Sequence, residues 1–473
     1  MKTQVIGITL LIILFTNNIS AQKIFTLKQC VDTAITNNLL VKQSDLQMQN
    51  ASINYKQAKD NVWPNLFANV NQGINQGRSI DPFTNSYINQ NVGYGTYSVS
   101  SNITLFNGMQ IKNFIKQNAL EHEASKMELQ TTKDNLTLNI ILDYLQVLNN
   151  EEQLTQATNQ VVLSGKQVGR LEILNKEGSI IPAQLYELRG QLANDQLAVI
   201  TAENAVKASK LALVQLMNIP YDTAMEVEKL TADNFALSYH ADPETIYQTA
   251  LSQLATIKGT ELRRQSAEKA ISVARGQFYP SVGLGGNLGT NFSSAAQENV
   301  FLNSTQVASG DFVDVNGSKL PVITTRNNYN SQKINYGSQF SNNYSTSINL
   351  GIRIPILNSF RARNNVALAK NDLKNTEYIA QTTKIQLKQN IEQAYFNMTG
   401  AYRRYTTLLQ QVTDFTTAFR AAEVRYNEGV STQIDYLIAK NNLDRANINL
   451  ISAKYDYIFN TKILDYYQGK LVL

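Results

Sequence analysis

Histidine and cysteine, which commonly carry metal or nucleophilic chemistry, are scarce in this 473-residue chain. The only histidines, His122 and His240, have no ligand-like companions, so a histidine-based metal site is not expected. Cys30 is the sole cysteine; it excludes an intramolecular disulfide and reads as a packing residue. Gly283-Leu-Gly285-Gly286-Asn-Leu-Gly289 superficially resembles a nucleotide-binding loop. Its spacing is wrong and no βαβ pattern surrounds it, so these glycines read as one face of a strand. No nucleophile–base pair or paired carboxylate stands out. The expectation is a protein that is not an enzyme and holds no cofactor or metal.

The most informative stretch is Arg425 to Tyr457. A helical pattern enters it, and Gly429 can take the left-handed conformation that ends a helix. Ser431 or Thr432 can cap the next helix. The same device occurs at Gly178, where Ser179 is a candidate cap and Pro182 falls in the first helical turn. Two tight reversals, each after a very long helix, suggest a protein that reaches something with its tips.

The elements around these turns repeat. Trp63-Pro64 and Tyr279-Pro280 end helical segments 216 residues apart, whereas Asn107 and Asn358, like Gly178 and Gly429, stand 251 apart. The expected order is a signal peptide at 1–21, with a charged start, a short apolar run and Ser20-Ala21 before the cut. A first repeat then covers 22–220: a helix, strands at about 65–75 and 94–106, a long helix at 108–177 and a return helix at 179–217. An irregular connector spans 221–243. The second repeat, 244–473, has a helix, strands at about 281–292 and 344–356, a long helix at 359–428 and a return helix at 431–468. The opening helices read as continuous from Leu27 to Asn61 and from Glu244 to Gln277, and the stretch 293–343 reads as a long polar loop.

Each long helix would run ~105 Å at 1.5 Å per residue, so its apolar stripe needs lateral cover in a coiled coil or bundle. The strands alternate apolar residues with Ser, Asn and Gly, as Tyr344 to Ile354 does. Four such strands of about membrane-crossing length cannot close a barrel, and open edges in lipid are costly. Three chains supply twelve strands, an even number within the bacterial range. A formal charge of +5 with 37 acidic residues gives no case for nucleic acid.

These residues resemble outer-membrane efflux proteins of the TolC type. The resemblance rests on Leu27 to Ala34 with Asn37-Asn38, Trp63-Pro64, Tyr279-Pro280 and Leu105-Phe106-Asn107-Gly108. It is strongest over Arg425-Tyr426, Gly429, Asp435 and Ala439, with Leu443 and Ala446 following. It implies a fold that is mainly α with a β-barrel portion. Three copies would form a 12-stranded barrel in the outer membrane, continued by a periplasmic α-helical barrel. It also implies an exit duct of a tripartite efflux or type I secretion system. The partners would be a periplasmic membrane-fusion adaptor and an inner-membrane pump of the RND, ABC or MFS type, with outer-membrane lipid around the barrel.

By the same resemblance Gly178, Ser179, Gly429, Val430 and Ser431 would form the periplasmic tips that contact the adaptor. Tyr426, Asp435 and Gln184 would lie at the tunnel constriction. The sequence departs from the family pattern twice: Ser431 stands where a basic residue is common, and Gln184 where a carboxylate is common. Asp435 in three copies could form an acidic ring that favours cations; its plainer reading is a first-turn carboxylate favoured by the helix dipole. The alternative function is a periplasmic coiled-coil adaptor, which the four alternating strands disfavour.

Overall fold

The computed structural model describes residues 24–81, 85–229, 239 and 241–470. The expected signal peptide lies outside the described residues, as do positions 230–238 and 240 of the expected connector. In chain order the elements are β1 (Ile24–Phe25), α1 (Leu27–Asn37), α2 (Leu39–Asp60), β2 (Asn65–Asn75), β3 (Arg78–Ile80), β4 (Tyr87–Asn89), β5 (Val92–Asn107), α3 (Gln110–Lys176) and α4 (Pro182–Met217). After them come β6 (Glu226–Val227), α5 (Pro243–Gln253), α6 (Ala255–Gly276), β7 (Ser281–Ser293), β8 (Gln297–Val315), β9 (Ser318–Lys333), α7 (Tyr336–Asn342), β10 (Ser345–Arg353), α8 (Arg361–Asn427) and α9 (Gln433–Tyr467). The chain divides into a helical unit and a mainly β unit.

In the helical unit, α3 and α8 are 67 residues each and carry no proline. One core joins α1, α3, α4 and α9 through Val31, Ile140, Tyr144, Leu145, Leu213 and Ile458. A second joins α5, α8 and α9 through Ile246, Ala250, Leu387, Ile391 and Leu464. Burial pushes the Cys30 thiol up to about 12, as befits a packing residue. The Tyr144 hydroxyl donates to the Glu228 carbonyl at 2.6 Å, beside the short parallel pairing of β1 with β6.

Two expected continuous helices are each broken in two. Asn38 and Leu254, 216 residues apart, both adopt an extended conformation between helices. At Asn38 the side chain accepts from the Leu40 N–H at 2.9 Å and donates to the Leu216 carbonyl at 3.1 Å. A polar residue that can cap the next helix thus ends a run whose apolar period continues through it.

In the β unit, four antiparallel strands form a sheet of order β10-β7-β5-β2. Residues opposite in register share a face. One face carries Ile348, Leu350 and Ile352 on β10, Leu284 and Leu288 on β7, Val99 and Tyr97 on β5, and Ala68 and Val70 on β2. The other carries Ser347, Asn349, Asn287, Ser100 and Asn69. β10 and β2 are the sheet's edges.

The expected loop at 293–343 is instead structured. β8 and β9 form a long antiparallel hairpin with register shifts after Phe301 and Ala308, and α7 follows it. The hairpin is exposed on both faces, and its sequence carries no period-two alternation.

Candidate functional site

The two helix reversals belong to the helical unit. At the first, Gly178 has φ +69° and the Ser179 N–H donates back to the Leu174 carbonyl at 2.9 Å. That six-to-one bond closes α3 and is the end that glycine permits. Ser179 is therefore part of the stop and does not cap α4, contrary to the sequence expectation. Ile181 occupies the cap position without a side-chain bond, and Pro182 begins the helix. Proline at the first helical position fixes φ and has no N–H to satisfy, so it sets the start three residues beyond Ser179.

At the second, Gly429 has φ +74° and the Val430 N–H donates to the Arg425 carbonyl at 2.9 Å. Of the two candidate caps, Thr432 is the one used. Its hydroxyl accepts from the Asp435 N–H at 3.2 Å, and Asp435 Oδ2 accepts from the Thr432 N–H at 3.2 Å. Ser431 Oγ donates to the same carboxylate oxygen at 3.1 Å. Hydrogen bonds from the Thr432 side chain, then from its N–H and from Ser431, hold the Asp435 carboxyl below the ordinary carboxylate value. Within one chain, then, Asp435 closes a capping box.

The turns are joined to each other. Gln433, buried, donates from Nε2 to the Gln184 carbonyl at 2.8 Å. Arg170 of α3 donates to the Asn427 carbonyl at 2.7 Å, satisfying a C-terminal carbonyl of α8. Tyr426 stacks on fully buried Tyr436 with centroids 5.0 Å apart, and Phe419 packs on the same ring. Burial raises the Tyr426 phenol above its usual value. Beneath the first turn, Leu171, Leu185 and Leu188 form a small core with Leu437 against it. Gly178, Ser179, Gly429 and Val430 remain exposed, as do Ile181, Ile434 and Asp435.

Farther along the same helices lies a group that sequence reasoning missed. Lys440 of α9 is 1% exposed and donates to Asp195 Oδ2 at 3.0 Å and Asp444 Oδ2 at 2.7 Å. Gln191 donates to Asp195 Oδ1 at 2.8 Å, and Ser164 of α3 also donates to Asp195. Burial raises the Asp444 carboxyl above its ordinary value, against the lowering effect of Lys440. The signal was present: Leu185, Leu188, Leu192 and Asp195 follow heptad spacing, which puts a carboxylate where a seam residue belongs.

Hydrogen-bonded helix reversals, very long helices and an antiparallel sheet with one apolar and one Ser/Asn/Gly face are the parts of the outer-membrane efflux protein fold. The family model for outer membrane efflux proteins matches residues 30–218 and 246–464, and the chain belongs to that family. It is similar to outer membrane protein TolC of Vibrio cholerae serotype O1, with 21% identity over 365 residues, 74% of this chain and 72% of that protein. It is also similar to toxin and drug export protein A of Aggregatibacter actinomycetemcomitans, with 20% identity over 444 residues, 91% of this chain and 83% of that protein. The crystal structure of the outer membrane protein VceC from Vibrio cholerae matches at a TM-score of 0.73 and 15% identity, covering 94% of this chain and 96% of that one. At such identity the structural likeness is one of fold.

The family is one of non-catalytic transport channels in the outer membrane. Among the described residues, no helix is long and apolar enough to cross a membrane.

Proposed function

We propose that this protein is the exit duct of a tripartite efflux or type I secretion system, and that it works as a homotrimer. The observation that carries this reading is the sheet with two open edges, β10 and β2, and one apolar face. Open edges in lipid leave backbone groups unpaired at several kcal/mol each. Pairing β10 of one copy with β2 of the next removes every edge and gives twelve strands. Ile348, Leu350 and Ile352 then face lipid, and Ser347 and Asn349 line water.

In this reading the reversals at Gly178 and Gly429 are the periplasmic tips. Gly178, Ser179, Val430 and Ser431 offer the adaptor a shape held by hydrogen bonds, with Val430 70% exposed. Tyr426, Gln184 and Asp435 lie beside these turns, where three copies would converge. Ser431 and Gln184 replace charged partners found in the family pattern, so the polar links at the constriction would be weaker or different here, while within each chain the Gln433–Gln184 bond and Tyr426 stacked on Tyr436 fix the turns. Three copies of Asp435 would stand as an acidic ring at this level, although within each chain the same carboxylate closes the capping box of α9. The chemistry is passive. The pump, of RND, ABC or MFS type, supplies energy and most of the substrate choice; export named for one relative fits this role.

A photo-crosslinking residue at Val430, activated in cells, tests the docking. Capture of a periplasmic protein with a helical hairpin is expected. Crosslinks to copies of this chain alone contradict it.

A further inference from the structure

The helix α7 lies on the apolar face of the sheet, at the end where β7 finishes and β10 begins. Its seat is fixed on both sides. Buried Gln339 accepts from the Ser293 N–H at 2.9 Å and donates to the carbonyls of Ser293 at 3.0 Å and Ile334 at 2.9 Å. Asn343 donates to the Asn291 carbonyl at 2.9 Å, and the Thr290 hydroxyl donates to the Phe340 carbonyl at 2.8 Å. Tyr336 and Phe340, one turn apart, meet Phe292 and Tyr97 at centroid distances of 4.9 and 5.7 Å. Tyr97 is opposite Thr290 on one side and Val70 on the other, so α7 covers the face that carries the aliphatic residues.

Beside Phe340 that face holds a groove of about 200 Å³, lined by Ala68, Val70, Val99, Leu288, Phe340 and Tyr344. Asn69 and Ser98 also border it but alternate to the opposite face, and the Thr290 hydroxyl is already engaged. The walls thus offer mainly hydrocarbon and ring surface to an occupant, and the phenol hydroxyls of Tyr97 and Tyr344 are the other polar side-chain groups on this face of the groove. The groove opens onto the face of Leu288, Ile348 and Leu350, and so shares whatever solvent covers them.

We propose that this groove seats one acyl chain of an outer-membrane lipid, with α7 as its wall. The proposal rests on the reading of the sheet as a lipid-facing barrel wall. Two features favour a held chain over passing lipid. α7 is lashed down by side-chain bonds to strand and loop backbone, so the wall is preformed and little ordering is needed on binding. Tyr336 and Tyr344 border the groove's end of the sheet, and tyrosines, with an apolar ring and a polar tip, suit the lipid–water boundary.

Tryptophan quenching tests it. Trp63→Phe removes the only tryptophan. Phe340→Trp and Tyr344→Trp then report from the groove, and Ile348→Trp reports from the open face. Each protein is reconstituted into vesicles containing phospholipid with brominated acyl chains at rising mole fraction. The groove reporters are expected to reach a plateau at a mole fraction several-fold lower than the open-face reporter, because a site saturates and boundary lipid does not. Identical curves would overturn the seat and leave ordinary boundary lipid. Unquenched groove reporters beside a quenched Ile348→Trp would mean that protein fills the groove, and would also overturn it. Absence of quenching at Ile348→Trp would instead refute the lipid-facing reading itself.

Discussion

Lys440 Nζ lies 3.0 Å from Asp195 Oδ2, with the two side chains 1% and 7% exposed. The contact joins α9 to α4 inside the helical unit, and Asp444 completes it from the Lys440 helix. Removing one partner of such a pair leaves a buried charge uncompensated, at a cost of about 3–5 kcal/mol. Lys440→Met is therefore expected to lower the denaturation midpoint, followed by far-ultraviolet circular dichroism in detergent. A triple variant, Lys440→Met with Asp195→Leu and Asp444→Leu, should recover most of the loss, since hydrophobic replacement of the whole group is often neutral or better. A triple variant as weak as the single one would show that the seam needs these charges for stability.

The capping box makes the second turn sensitive to acid. Asp435 has a folded-state value below its unfolded one, because Thr432 and Ser431 donate to its ionised form. Its stabilisation is therefore present above the unfolded value, about 3.9, and is lost as pH falls through the folded value. Hydrogen exchange of the peptide covering 428–436, corrected for intrinsic rates, should show protection at neutral pH that declines under acid. In Asp435→Asn that pH dependence should be absent.

Gly429→Val and Gly178→Val should each impair export more than assembly. Both positions have positive φ, where a side chain costs about 1–2 kcal/mol, and a β-branched one fits worst. Each turn bonds back into its own preceding helix, so the sheet does not depend on it. Export measured beside outer-membrane abundance separates the two effects. Normal export at normal abundance would show that tip shape is not used.

Leu350→Arg should reduce insertion by roughly 2–4 kcal/mol if the residue lies near the bilayer midplane. Asn349→Arg, on the opposite face, should be far milder. Folding yield in vesicles of both variants checks the assignment, and equal yields would contradict it.

Much of this was legible because its physical constraints are long and regular. Two long stretches without proline keep helix period, and Tyr344 to Ile354 alternates apolar with small polar residues at strand period. What escaped was local. Asn38 breaks a helix through its side chain while the apolar period runs on. Ser179 looked like a cap, but Pro182 fixed the start of α4. The β8–β9 strands are polar along most of their length and carry no alternation to read. At the turns, glycine spacing gave the positions. The Gln433–Gln184 bond and the Lys440 group depend on which helices meet, and only the heptad place of Asp195 hinted at them.

The central claim is that four strands per chain close only with two further copies. The direct measurement is the mass of the detergent-solubilised protein by light scattering, with the bound detergent subtracted. The prediction is three chains of 52.8 kDa, less any cleaved leader. A stable, folded monomer in aqueous buffer without detergent would contradict it.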